Sequence, residues 1–125
     1  MNIQNIGIDL VEIKKIQNIG IEKLAARVLS DQEKKVFQTF CHLERQLTFL
    51  AGRWAAKEAL FKAFQTQAKL NYSKTNYCDW SILNDQNGVP YLADDRFKNQ
   101  VLLSLSHTSN YAVAIVVVLL KEIKK

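Results

Sequence analysis

Two acidic residues stand where acids are disfavoured. Asp9 lies between Ile8 and Leu10 in an apolar run, a setting that suits a short carboxylate neither as a strand residue nor as a buried one. Glu58 belongs to the stretch from Leu43 to Phe64. At about 100° per residue, Leu43, Leu47, Leu50, Ala51, Trp54 and Phe61 form one apolar stripe there. Glu58 falls in the middle of it, between Trp54 and Phe61. A carboxylate so placed must meet a cation, a set of donors or a metal ion, or else take up a proton. Arg53, Lys57 and Lys62 are the ion-pair candidates for Glu58, and for Asp9 the alternative is a cap on the helix that begins near Val11 and Glu12. Together, two carboxylates from different elements with Lys57 and Lys62 close by describe a hard-cation site with few protein ligands. Mg²⁺ uses such sites when substrate phosphates complete its shell. Lys62, one turn after Glu58, shares nearly the same face and can neutralise a phosphate oxygen. His107 sits in a turn beside Ser106 and Thr108, as a local hydrogen-bonding group or as a catalyst. The chain has no GxSxG, HExxH, GxGxxG or P-loop pattern, so the usual signals of a serine hydrolase, zinc peptidase, dinucleotide fold or P-loop enzyme are missing.

The elements that must position these groups follow from hydrophobic periodicity. In the run from Ile3 to Val11, Ile6, Ile8 and Leu10 alternate with Gly7, Asp9 and Val11, the pattern of a strand with one packed face. From Glu12 the period changes: Ile13, Ile16 and Ile19 mark an amphipathic helix that breaks near Gly20 and resumes through Leu24 and Val28. Ser30-Asp31-Gln32-Glu33 fits a capping box opening a helix through Val36, Phe37 and Phe40. Leu43 to Phe64 carries a second apolar stripe, Phe49, Ala56, Leu60 and Phe64, as expected of a central, buried helix. Lys69 to Tyr77 reads as a loop. Cys78 to Leu83 and Val89 to Leu92 read as a hairpin whose Asn87-Gly88 step supplies positive φ. Val101 to Ser106 and Tyr111 to Leu120 form a second strand pair, and the unbroken run from Val113 to Leu120 suggests burial on both faces. The tail from Lys121 to Lys125 is charged and expected to fray.

With 125 residues, 48% hydrophobic and 23% charged, the chain has the size and composition of one globular domain spanning residues 1–125. The longest apolar stretch, Tyr111 to Leu120, is about half of what crosses a bilayer. Met1 leads into polar Asn2 and Gln4 with no export-signal pattern. A soluble cytoplasmic protein is expected, with Cys41 and Cys78 as reduced packing residues. A net charge of +5 favours an anionic partner. One class that fits is a non-enzymatic nucleic-acid-binding module using Lys14, Lys15, Lys34, Lys35 and the basic tail, although these residues are scattered among acids.

Three segments also resemble the holo-acyl-carrier-protein synthases, the short 4′-phosphopantetheinyl transferases. They are Gly7-Ile8-Asp9-Leu10-Val11-Glu12-Ile13, the run from Phe49 to Phe64 containing Arg53-Trp54-Ala55-Ala56-Lys57-Glu58-Ala59-Leu60-Phe61-Lys62, and Ser104-Leu105-Ser106-His107-Thr108. With Asn84 to Tyr91, the likeness covers nearly the whole chain. It implies an α+β single domain, with an antiparallel sheet of hairpins packed on a long central helix. It also implies transfer of the 4′-phosphopantetheine group from coenzyme A to a serine of apo-acyl carrier protein, a step of fatty acid biosynthesis that leaves 3′,5′-ADP. By that resemblance Asp9 and Glu58 hold Mg²⁺, Lys62 balances charge on the phosphoryl group, and Glu58 helps take the serine proton. Arg53, Asn87, Gly88, Pro90, His107 and Thr108 would lie along the phosphates and adenosine.

The family's short members are homotrimers with the site between subunits, so the Asn87 and His107 turns would come from a neighbouring copy. The acidic carrier protein would meet Lys14, Lys15, Lys23 and Arg27, in a segment that also contains Glu12 and Glu22. Nucleic acid and membrane are not expected partners. The chain departs from the family pattern at Gln65-Thr66-Gln67, where a Gly-Thr-Gly turn is common, and at Ser109, where a lysine is common.

Overall fold

A computed structural model describes residues 2–64 and 76–120. Among them the chain forms strand β1 (Ile3–Glu12), helices α1 (Ile13–Ile19), α2 (Ile21–Val28), α3 (Asp31–Phe37) and α4 (Leu43–Phe64), then a short hairpin of β2 (Ile82–Asn84) and β3 (Pro90–Leu92), and finally β4 (Val101–His107) and β5 (Tyr111–Leu119). An antiparallel sheet in the order β1-β5-β4 packs on α4, giving the expected α+β architecture.

Register decides which side chains face the helix. Asp9 lies opposite Ala114, Gly7 opposite Val116 and Val11 opposite Ala112, and on β5 these partners are all buried. The packed face of β1 is therefore the Gly7, Asp9 and Val11 parity. Ile6, Ile8 and Leu10 are 57%, 58% and 63% exposed. The reason is the close approach of α4. A Cβ on Gly7 would lie 1.9 Å from the carbonyl oxygen of Ala59, so only glycine lets the helix backbone reach the strand. The helix answers with small residues of its own: Ala55, Ala56, Ala59 and Ala63 are fully buried. β5 is central, yet within one chain it is covered on one face only. Ala112, Ala114, Val116 and Val118 are buried, whereas Tyr111 and Ile115 remain exposed.

The helical half follows its sequence signals. Gly20 adopts φ 108° and separates α1 from α2. At the start of α3 the Ser30 hydroxyl accepts from the Glu33 amide (3.2 Å) and Glu33 accepts from the Ser30 amide (2.8 Å). That helix stops at Phe37, and Phe40 beyond it packs edge-on against Phe49, with ring centroids 5.3 Å apart. In the hairpin, Gly88 alone takes positive φ (80°) and the Asp85 carboxylate accepts the amides of Asn87 and Val89. The strand expected from Cys78 shortens to Ile82–Asn84. Tyr77–Asp79 makes a 3₁₀ turn and Trp80 is drawn into the core against Phe64.

Beneath the hairpin is a polar knot that ties four elements together. Glu33 is fully buried and accepts from the Lys57 ammonium and from the Ile82 amide (3.0 Å), while Lys57 also donates to the Val28 carbonyl (2.7 Å). Arg53 donates to the Ile82 carbonyl (3.0 Å) and the Asn84 side chain (3.3 Å) and lies over the Phe49 ring. Burial lowers the pKa of both cations, and Glu33 opposes that drop by favouring their charged forms.

Candidate active site

The contact that requires Gly7 also sets Asp9 beside the carboxyl-terminal half of α4. There Glu58 and Lys62 are one turn apart and project from the same side. The Lys62 ammonium donates to the Asp9 carboxylate (Oδ1, 3.0 Å) and to the Ile8 carbonyl (3.0 Å). The Lys62 side chain is 51% exposed and that of Asp9 18%. Asp9 and Glu58 both line a cavity of about 380 Å³, with Glu12, Lys15 and Trp54 on its wall. Glu58 and Trp54 are also part of a second cavity of about 570 Å³, bounded by Leu24, Arg27, Phe61 and Tyr77. Glu58 is thus a wall residue between two cavities, half-buried, and not a group sealed in the interior.

Its partner was not legible beforehand. Of the three sequence candidates, Arg53 and Lys57 are turned to the other side of α4, where they share Glu33, and the Lys62 ammonium is on Asp9. Instead, the Tyr77 hydroxyl faces Glu58. Burial first, then the nearby Glu58 carboxylate and the charge of Asp9, push the phenol up to about 12. Tyr77 comes from the 3₁₀ turn after the undescribed stretch, so no periodicity could have assigned it. Trp54 could have been found: it lies four residues before Glu58 on one helical face. The Lys15 ammonium stands 5.7 Å from the Trp54 ring centroid.

The other expected site residues are more dispersed. Arg53, anticipated along the phosphates, is 6% exposed and points inward, where it holds the base of the hairpin. Asn87 and Gly88 form the exposed tip of that hairpin, and Pro90 opens β3. His107 ends β4 opposite Ala112, which in turn faces Val11, so it is displaced across the sheet from β1. The Thr108 hydroxyl is occupied by the amides of Asn110 and Tyr111 (both 3.1 Å). Lys14, Lys23 and Arg27 are exposed on α1 and α2. Cys41 is exposed, not packed as expected, and Cys78 is half-buried; both are free thiols. The Gln65-Thr66-Gln67 departure, the loop before Asn76 and the basic tail fall outside the described residues.

Both carboxylates supply hard oxygen donors to one cavity, and both are close enough for their charges to act on the same phenol. Among the described residues no group of three or more acidic, histidine or cysteine side chains could hold a metal. That donor set suits Mg²⁺, which keeps water and substrate oxygens in its shell.

Comparison with known proteins sets this geometry in a family. The model of the 4′-phosphopantetheinyl transferase superfamily matches residues 5–116. The chain belongs to that superfamily. A holo-[acyl-carrier-protein] synthase of Onion yellows phytoplasma (strain OY-M) is 57% identical over 118 residues, covering 92% of this chain and 93% of the relative. One from Acholeplasma laidlawii (strain PG-8A) is 42% identical over 116 residues, covering 92% and 95%. The crystal structure of a holo-(acyl-carrier-protein) synthase from Bacillus anthracis str. Ames, in complex with CoA (3′,5′-ADP), superposes with a TM-score of 0.80 at 34% identity, covering 94% of this transferase and 97% of that chain. No helix among the described residues of the transferase is long and apolar enough to cross a membrane.

Proposed function

We propose that this transferase moves the 4′-phosphopantetheine group of coenzyme A onto a serine of apo-acyl carrier protein, with Asp9 and Glu58 as the protein ligands of Mg²⁺. The observation that carries the reading is the convergence of those two carboxylates, from β1 and α4, on one cavity, with the Lys62 ammonium bonded to Asp9. Such a dication would bind the pyrophosphate and offset its charge. In the transfer, the serine oxygen forms a bond to the phosphorus that bears pantetheine, and the bond from that phosphorus to the bridging oxygen breaks, so 3′,5′-ADP leaves with the electron pair. Glu58 accepts the serine proton and Lys62 stands against the equatorial oxygens. Tyr77, protonated at neutral pH, faces Glu58 with a neutral hydroxyl.

The Asn87, Gly88 and Pro90 hairpin and the His107-Thr108 turn do not line the Asp9 cavity. A neighbouring copy is the source that suits them, in a homotrimer with sites between subunits. Supporting this is the open sheet face, where Ile6, Ile8 and Leu10 of β1 lie beside exposed Ile115 of β5 and, on β4, Leu102. Arg53 contributes to phosphate and adenosine binding through the hairpin that it anchors. Lys14, Lys15, Lys23 and Arg27 form the basic surface for the acidic carrier protein. The test is to incubate the protein with apo-carrier protein, coenzyme A and Mg²⁺ and weigh the carrier by mass spectrometry. Gain of one phosphopantetheine is expected, and an unchanged carrier mass under conditions where a known synthase modifies it would refute the proposal.

A further inference from the structure

The same ammonium that was expected to serve a phosphate is bonded to one of the two carboxylates expected to serve a metal. Lys62 donates to Asp9 Oδ1 and to the Ile8 carbonyl, each at 3.0 Å. We propose that Lys62 is a built-in competitor for the divalent cation at Asp9, released to the incoming phosphates, so that metal and phosphate bind cooperatively. The inference rests on the metal reading given above.

A dication approaching Asp9 meets a positive charge already seated on that carboxylate, and repulsion of like charges makes simultaneous occupancy of the same oxygen unfavourable. The geometry makes the competitor easy to displace. The Lys62 side chain is 51% exposed and carries a strongly hydrated head on a flexible stem, and exposed ion pairs are weak. Glu58 is held differently. The group that faces it, Tyr77, is a neutral hydroxyl, which contributes no competing charge. The asymmetry places the competition on Asp9 alone. A phosphate oxygen that draws the ammonium off Asp9 frees that carboxylate for the cation, and by linkage the cation strengthens phosphate binding by the same factor.

The experiment measures Mn²⁺ binding to the full chain by electron paramagnetic resonance, with no nucleotide present, for wild type, K62Q, K62R and D9N. Lys62 is exposed, so the fold is expected to survive substitution, and circular dichroism checks this. K62Q is expected to bind Mn²⁺ about three- to fivefold more tightly than wild type, the scale of a lost exposed ion pair. K62R, which keeps the charge, should stay close to wild type, and D9N should lose most binding. If D9N loses binding while K62Q binds Mn²⁺ no more tightly than wild type, or K62R tightens as much as K62Q, the competition is refuted and the metal site stands. If D9N binds as wild type does, the metal reading itself fails and takes the inference with it.

Discussion

At the scale of single residues, the Tyr77 hydroxyl has a measurable signature. Burial and the nearby Glu58 and Asp9 carboxylates hold its phenol near 12, well above the usual value of about 10. The folded-state value is raised, so folding favours the protonated phenol. Its contribution to stability is complete below pH about 10 and is lost as pH rises through about 12. Phenolate absorbance followed during titration should show one midpoint near 12 in wild type that is missing from Tyr77→Phe. Stability of wild type should also fall more than that of the variant across this window. A difference spectrum with its midpoint at about 10 would mean that the phenol does not face the two carboxylates. At neutral pH, Tyr77→Phe is expected to lower kcat about threefold to tenfold with little change in KM for coenzyme A, as loss of one polar contact to Glu58 of about 1 kcal/mol implies.

Among the elements, the contact between β1 and α4 does the positioning, and Gly7 is where it can be broken. A methyl at Gly7 would meet the Ala59 carbonyl oxygen at 1.9 Å. That atom belongs to helix backbone and cannot rotate away, so α4 must shift as a body. Gly7→Ala is expected to destabilise the fold by about 1–3 kcal/mol, as overpacked cores do, and to cut transfer activity more than Ile6→Ala on the opposite face. Urea unfolding paired with the activity assay checks this, and equal activity in the two variants would show that the helix contact does not set the site. The elements themselves were largely legible. The Ser30 capping box, the Gly20 break and the bounds of α4 from Leu43 to Phe64 appear as the local chemistry dictates. Convergence of Asp9 and Glu58 was legible too, because each was anomalous in its own periodic pattern, and Lys62 followed from its place one turn after Glu58. The destinations of Lys57 and Arg53 were not. Their partner Glu33 is 24 and 20 positions away in sequence and was already accounted for by its capping role. Which face of β1 meets α4 was equally hidden, since alternation marks two faces and only the Gly7 contact distinguishes them.

For the whole molecule, the open face of the sheet is the feature that a single chain does not explain. Ile8 is 58% exposed on β1 and Ile115, its register partner on β5, is 38% exposed, with Leu10 and Ile6 continuing the same surface. These side chains are dispensable to the one-chain core, which lies on the other side of the sheet. Replacing Ile8 with lysine should therefore leave circular dichroism unchanged. The same replacement puts a charge at the centre of the face that copies of the chain would share, and burying an unpaired charge costs several kcal/mol. Sedimentation analysis is expected to give a trimer for wild type and a monomer for Ile8→Lys. If the Asn87 and His107 turns reach the site from a neighbouring copy, the monomeric variant should also lose most transfer activity, while mixing it with a Glu58→Gln chain that still assembles should restore none. A monomer that keeps full activity would place the complete site within one chain. A wild-type protein that sediments as a monomer would leave the apolar face to some other partner.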